Sequence, residues 1–352
     1  MVDLILIGGF LGSGKTTLLA EAAKKLAAQG KKVGLITNDQ APGLVDTRLL
    51  SQIGQGVSEV AGSCFCCNFP GFVAAIESLI AAGADTIVAE PVGSCTDLSA
   101  TIMNPLKKFH PDWKLAPLTV LVDPQRLFEV FGMKESMVDP DALYIMKLQM
   151  DEADRVLVNK GDTLSTTEKA MVLDIFAKNY SSKPTGIISA KTGDGVESWL
   201  AAVQSDRNAG KTIVPVDYDR YAHGEAVLGW LNATATVDKA GEKALLQNFM
   251  ADFQAEIRKT NSEVGHVKAI LNLGDKEYVA NLTSLNGDID IREVTPQAET
   301  YILIFNARVQ MSPENLEEIV RKLLGKYCLS IGEFRCLMPG RPNPTHRFSK
   351  EI

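Results

Sequence analysis

The sequence has 352 residues, six cysteines, four histidines and a formal net charge of −7 at pH 7. That length suggests about two domains, the apolar and charged fractions are those of an ordinary globular chain, and the charge excludes any general electrostatic attraction to nucleic acid or an anionic membrane. No apolar run approaches the ~18 residues of a membrane span and the start reads as a strand, not a signal segment, so a cytoplasmic protein is expected, its cysteines acting as thiols or metal ligands rather than in disulfides.

The first predicted element is a short buried strand, Leu4-Ile5-Leu6-Ile7, leading into Gly9-Phe10-Leu11-Gly12-Ser13-Gly14-Lys15-Thr16. This run matches G-x-x-x-x-G-K-[ST] between a strand and a helix, the context in which that pattern cradles phosphate. Glycine lets the backbone curl until successive N–H groups converge, and the helix N-terminus adds unpaired donors. Gly12, Ser13, Gly14 and Thr17 are expected around the phosphates. Lys15 should reach the β- and γ-phosphates, and the Thr16 hydroxyl should hold Mg²⁺. The helix carries Leu18, Leu19, Ala22, Ala23 and Leu26 at helical spacing and ends at Gly30.

A second buried strand, Val33 to Thr37, ends in Asn38-Asp39. Carboxyl ends of strands face the ligand in open α/β sheets, so Asp39 and the loop to Asp46 belong near the phosphates. Next comes Cys64-Phe65-Cys66-Cys67, followed by Pro70 and the helical pattern Phe72, Ile76, Leu79, Ile80. Three thiols before a helix N-terminus favour thiolate, the form that binds Zn²⁺ and similar metals. They can converge only if the backbone turns, because a plain strand would send Cys66 and Cys67 to opposite faces. A third strand, Asp85 to Ala89, closes in Glu90, with Gly93 and Cys95 just beyond. An acid there belongs near Mg²⁺ or the attacking water; Gly93 would let backbone approach the γ-phosphate, and Cys95 is a candidate fourth thiol.

A fourth strand, Leu118 to Val122, and a fifth, Arg155 to Val158, follow; the fifth ends in Asn159-Lys160-Gly161-Asp162. N-K-x-D suits guanine, whose N1–H and 2-amino group can both donate to one carboxylate. Ser189-Ala190-Lys191, after a sixth strand, is the usual backbone contact to the guanine oxygen. Together these favour GTP over ATP, against which an unpaired buried carboxylate discriminates strongly. Ser205 to Glu225 lacks apolar periodicity and reads as a linker. Beyond it, four strands (Val227–Val237, Val267–Leu273, Tyr278–Leu285, Tyr301–Val309) and two helices (Leu245 to Ile257, Leu316 to Leu324) suggest a small α+β domain with helices on one face of an antiparallel sheet. The expected division is 1–210, 222–338 and a loosely held proline-rich tail, 339–352.

With these motifs placed, the chain resembles the CobW-like P-loop GTPases, relatives of the urease- and hydrogenase-maturation GTPases. Its counterparts of the family motifs are Gly8 through Thr17, the C-x-C-C run Cys64, Cys66, Cys67, the E-x-x-G run Glu90 to Gly93, and Asn159 to Asp162. The resemblance implies an α/β fold with a parallel sheet flanked by helices, slow GTP hydrolysis with Lys15, Glu90 and Asp39 in catalytic roles, and a transition metal, Zn²⁺ or Co²⁺, on Cys64, Cys66 and Cys67. The cargo would pass to a client metalloprotein or corrinoid enzyme; assembly as a homodimer is compatible with it. The family segment N-E-F-G…I-D is here Asn38-Asp39-Gln40-Ala41…Val45-Asp46, and the histidine-rich tract of many relatives is absent. A rival reading is a GTP-switched chaperone that gates cofactor loading, its cysteines structural or redox-active.

Overall fold

The computed structural model describes residues 2–39, 56–61, 64–260, 262–296 and 299–352, without the side chains of Asp39 and Ala61. Asp46 and the loop around it, and the Asp39 side chain, therefore lie outside the described residues. The first sheet is wholly parallel. Its strands are β1 (Asp3–Gly9), β2 (Val33–Asp39), β3 (Gly56–Ala61), β4 (Thr86–Ala89), the two-residue β5 (Lys114–Leu115), β6 (Thr119–Val122), β7 (Arg155–Val158) and β8 (Thr185–Ile187). The order is β3-β2-β4-β1-β6-β7-β8, with β5 pairing β1 off this path. Helices cover both faces, so the central strands are apolar runs rather than alternating ones: β1 is buried along all but its first residue. Strand order reverses at β1, and the crevice beyond the carboxyl ends of the strands opens there.

The helices are α1 (Lys15–Ala28), α2 (Phe69–Ala81), α3 (Asn104–Phe109, entered through a π-turn at Ser99–Met103), α4 (Pro124–Val130), α5 (Pro140–Glu152), α6 (Thr166–Asn179), α7 (Val196–Ser205) and α8 (Tyr218–Ala226). Local chemistry fixes their starts. Asn68 caps α2 by accepting from the Gly71 N–H, with Pro70 in the first turn. Asp123 caps α4 through Gln125 and Arg126, and Ser165 with Glu168 forms a reciprocal capping box on α6.

The second sheet is antiparallel: β9 (Gly229–Thr236), β10 (Val264–Leu273), β11 (Glu277–Leu282), β12 (Asp290–Val294), β13 (Tyr301–Val309) and β14 (Ser330–Leu337). Its order is β12-β11-β10-β13-β9-β14. Two helices, α9 (Lys243–Arg258) and α10 (Pro313–Tyr327), pack on one face over Phe249, Phe253, Phe305 and Leu323. The rings of Phe249 and Phe253 meet Phe305 edge-on at 5.0 and 5.1 Å. The other face turns toward the first sheet's crevice.

Four expectations need correction. β3 was not anticipated: it is a polar edge strand, paired only through β2. The antiparallel sheet has β12 and β14 besides the four strands foreseen; both are edges with largely exposed side chains, so neither carries a strong apolar pattern. The stretch read as a linker contains α8, which buries Tyr221, Gly224 and Glu225 instead of an aliphatic stripe. Finally, the 339–352 segment is docked. Thr345 donates its N–H to the Cys66 carbonyl (2.8 Å), Phe348 to Ala100 (3.0 Å), and Ile352 to the Asn104 side chain (2.8 Å). Arg347 pairs with Asp97 at 2.6 Å. Pro339, Pro342 and Pro344 stiffen the free segment, so less entropy is lost when it is laid down.

Candidate functional site

The loop between β1 and α1 has positive φ at Gly12 (+76°) and Gly14 (+93°), and a Cβ on Gly14 would fall 2.2 Å from the Asn159 side-chain nitrogen. Only glycine fits there without displacing that amide. Lys15 is buried and donates to the carbonyls of Gly9 (2.8 Å) and Phe10 (3.1 Å). The next hydroxyl, Thr16, lies 3.0 and 3.1 Å from the two carboxylate oxygens of Glu90, itself only 5% exposed. Thr17 completes the first turn, in which no acidic residue competes for an anion. The buried Ser13 hydroxyl has no hydrogen-bond partner among the described residues. An orphaned buried hydroxyl, a lysine and a glycine-shaped cradle at a helix N-terminus fit a phosphate chain, and the Thr16–Glu90 oxygens suit a hard divalent cation.

Asn159 ties this loop to the segments that follow β7 and β8. Its amide donates to the Ser13 carbonyl (2.9 Å) and its carbonyl accepts from the Ala190 N–H (2.9 Å). Asp162 accepts from the Ser189 hydroxyl at 2.6 Å. Lys160 adopts the left-handed conformation (φ +59°), pairs with Asp123 at 2.7 Å and reaches the Thr283 hydroxyl at 3.3 Å. Gly161 passes so close to β8 that a Cβ would meet Ile187 at 2.6 Å. Lys191 is exposed, 3.4 Å from Asp290.

The cysteine run turns, as convergence requires. The Cys67 and Asn68 N–H groups both donate to the Cys64 carbonyl (3.1 and 2.9 Å). The Cys64 and Cys66 sulfurs are 2.9 Å apart, Cys66 and Cys67 3.8 Å, and all three lie within 4.8 Å of one another. Hydrogen bonds from the thiols of Cys66, Cys67 and Cys95 hold Cys64 well below the usual thiol range. The cost falls on the donors: Cys67 is pushed up to about 11 by its bond to Cys64, and Cys66 and Cys95 rise for the same first reason. The four sulfurs therefore titrate as one coupled group, in which the hydrogen bonds to Cys64 favour its thiolate. Above it, the Asn343 N–H donates to the Cys67 sulfur at 3.2 Å.

Two connections reach the cysteine turn from the ends of neighbouring strands. Asn38, at the end of β2, donates to the Val60 carbonyl (2.7 Å) and accepts from the Phe65 N–H (2.9 Å). The segment Glu90 to Cys95 touches both places. Glu90 meets Thr16, a Cβ on Gly93 would lie 2.9 Å from the Leu11 N, and Cys95 joins the thiols. Gln149 clamps this segment by donating to the carbonyls of Gly93 (3.0 Å) and Cys95 (2.8 Å). Ser94 hydrogen-bonds Glu225, whose carboxyl is raised to about 8, first by burial and then by the charge on Cys64.

The structure therefore brings together Gly12 through Thr17 with Glu90 and Gly93, and Asn159 and Asp162 with Ser189 and Ala190; it leaves Lys191 outside, on the surface. Sequence reasoning missed Gln149 and Glu225, which support the 90–95 segment, and Tyr221, whose hydroxyl accepts from the Thr96 N–H just beyond it. Nothing in local composition marks them, since an acid and an amide are the residues least expected in a core.

The nucleotide-binding domain model of the CobW/HypB/UreG family matches residues 3–185. Among solved structures, similarity is found to the Zn(II)-bound YjiA GTPase from E. coli, at 14% identity over 92% of this chain and 98% of that one (TM-score 0.38). It is also found to HypB from Helicobacter pylori in complex with nickel, at 18% identity over 57% of this chain and 84% of that one (TM-score 0.41). The hydrogenase maturation factor HypB from Archaeoglobus fulgidus matches at 16% identity over 58% and 89% (TM-score 0.41). No curated protein sequence gives a match.

Proposed function

Because the chain belongs to the CobW/HypB/UreG family through its nucleotide-binding domain, we infer that it binds and hydrolyses GTP and uses that cycle to load and release a transition metal or metallocofactor for a client protein. Lys15 and the loop N–H groups would hold the phosphates, and Asp162 and Asn159 the guanine. Thr16 and Glu90 would hold Mg²⁺, which when bound supplies charge neutralisation at the phosphates. Cys64, Cys66 and Cys67 offer soft sulfur donors suited to Zn²⁺ or Co²⁺ as cargo, with Cys95 beside them.

One observation carries the reading. The segment Glu90 to Cys95 joins, within six residues, an acid on the Thr16 hydroxyl, a glycine on the phosphate-type loop and a sulfur in the thiol cluster. A segment pinned at both ends cannot rearrange around a γ-phosphate without changing the thiol geometry. Linkage then requires GTP and metal to alter each other's affinity by one factor, on the order of 5–150-fold for typical couplings. The test is a Co²⁺ titration, read by thiolate charge-transfer absorption, of protein loaded with GDP or a slowly hydrolysed GTP analogue. A changed affinity supports the cycle. Equal affinities in both states refute it and favour a GTP-switched chaperone whose cysteines act in redox chemistry, a second reading that the 2.9 Å Cys64–Cys66 approach supports.

A further inference from the structure

The nucleotide crevice has a second wall. Gly12 faces the antiparallel domain so closely that a Cβ there would lie 3.2 Å from Thr283 and 3.3 Å from the Gly265 carbonyl. The start of β10 is anchored to the first domain through Arg126, which donates to the Val264 carbonyl at 3.1 Å and pairs with Glu263 at 3.5 Å. Strand alternation sends Val267, Ala269 and Leu271 into the core beneath α9 and α10. His266 and Lys268 consequently point the other way, toward the crevice. The Lys268 ammonium lies 3.4 Å from the Thr16 hydroxyl, which can accept from it while donating to Glu90.

We propose that Lys268 is a phosphate-contacting residue supplied by the second domain, a cation that engages the γ-phosphate of GTP and stabilises its transfer to water. The inference rests on the GTP-hydrolysing reading above.

The physical case is one of charge placement. Burial, and next the charges of Lys268, Lys15, Lys160 and Arg308, hold the His266 imidazole well below the ordinary histidine range, so it adds no charge of its own to the wall. The charges of Lys268, Lys15, Lys160 and Arg308 are all felt at His266, and a crevice wall of that sign suits a phosphate chain. Register also holds Lys268 from both sides. It sits opposite Asn281 on β11 and Asn306 on β13, in the middle of the sheet, so its backbone is pre-positioned before any nucleotide arrives. In hydrolysis, water attacks the γ-phosphorus and the bond to the β–γ bridging oxygen breaks. Its electron pair leaves with GDP, and inorganic phosphate keeps the water oxygen while the displaced proton passes to solvent. Lys268 transfers no proton; its ammonium offsets charge on the γ and bridging oxygens.

The experiment uses the full chain with Lys268→Met, which keeps the packing of the stem, and Lys268→Arg, which keeps the charge. Steady-state GTP hydrolysis is measured together with the affinities of GDP and a slowly hydrolysed GTP analogue. Removing one such charge-stabilising donor should lower kcat on the order of 10²-fold. Lys268→Met should also weaken the triphosphate analogue about ten-fold and GDP less than about two-fold, while Lys268→Arg recovers most of the turnover. Unchanged turnover in Lys268→Met, or equal weakening of GDP and analogue, overturns the assignment and leaves a structural lysine, with the GTPase reading intact. If the unmodified protein binds no GTP, the GTPase reading and this inference fall together.

Discussion

Glu152 closes α5 with its side chain wholly buried, one oxygen accepting from the Thr96 hydroxyl (3.1 Å) and the other from the Ser99 N–H (2.9 Å). No cation contacts it among those bonds, and burial, followed by the neighbouring charge of Asp97, raises its carboxyl to about 8. The acid is therefore protonated in the native state at neutral pH and ionised in the unfolded chain, where the ordinary value is about 4.3. The native state holds one proton more over that interval, so stability falls as pH rises from about 5 to 8 and levels off above. The limiting slope is about 1.4 kcal/mol per pH unit, which gives about 2–3 kcal/mol between pH 6 and pH 8. Glu152→Gln matches the protonated form in shape and can still accept from Ser99 while donating to Thr96. Urea unfolding at fixed pH steps should show the variant gaining on the parent protein as pH increases, with the gap near its maximum above pH 8. Glu225 contributes a slope of the same sign and remains in both proteins, so the comparison isolates Glu152. Parallel pH profiles for the two proteins would refute the argument and mean that Glu152 is ionised in the fold.

Two further outcomes concern the nucleotide. Asp162→Asn should lower GTP affinity by at least roughly 10²-fold and shift preference toward xanthine nucleotides, measured by competition binding; undiminished GTP affinity would show that the base is read elsewhere. Lys15→Ala should abolish turnover while the melting temperature stays within a few degrees, because the loop takes its shape from glycine; normal hydrolysis by this variant would move the phosphate site to another part of the chain.

The parallel sheet was legible because both of its faces are covered: β1, β4, β6 and β7 are short apolar runs bounded by glycine or polar residues. The glycine loop, N-K-x-D and S-A-K were legible for a related reason, since backbone geometry and hydrogen-bond inventory dictate residue type there. Edge strands were not. β12 reads Asp-Ile-Arg-Glu-Val and needs little apolar content to add to β11. α8 was invisible because the face it buries consists of a tyrosine, a glycine and a protonated acid rather than leucines. Lys268 was passed over as a single charge inside an apolar strand. Only the sheet pairings reveal that it lies at the centre of the sheet and on the face that meets Thr16. Strand geometry showed only that the cysteines need a turn to converge, and their link to Glu225 depends on contacts more than 100 residues apart in sequence.

The docked 339–352 segment changes how the two domains can move. The chain passes from the first sheet to the second before β9, then returns after β14 to lie on Cys66, Ala100 and Asn104. The domains are thus joined like a door on two pins rather than on a single thread. Between Leu337 and Asn343 the backbone can span at most about 20 Å, at roughly 3.5 Å per residue. A straight withdrawal of the antiparallel sheet would draw this strap taut against the cysteine turn. Opening the crevice far enough would pull first on the Asn343 contact to Cys67, so the travel of one domain would be felt as tension at the thiols.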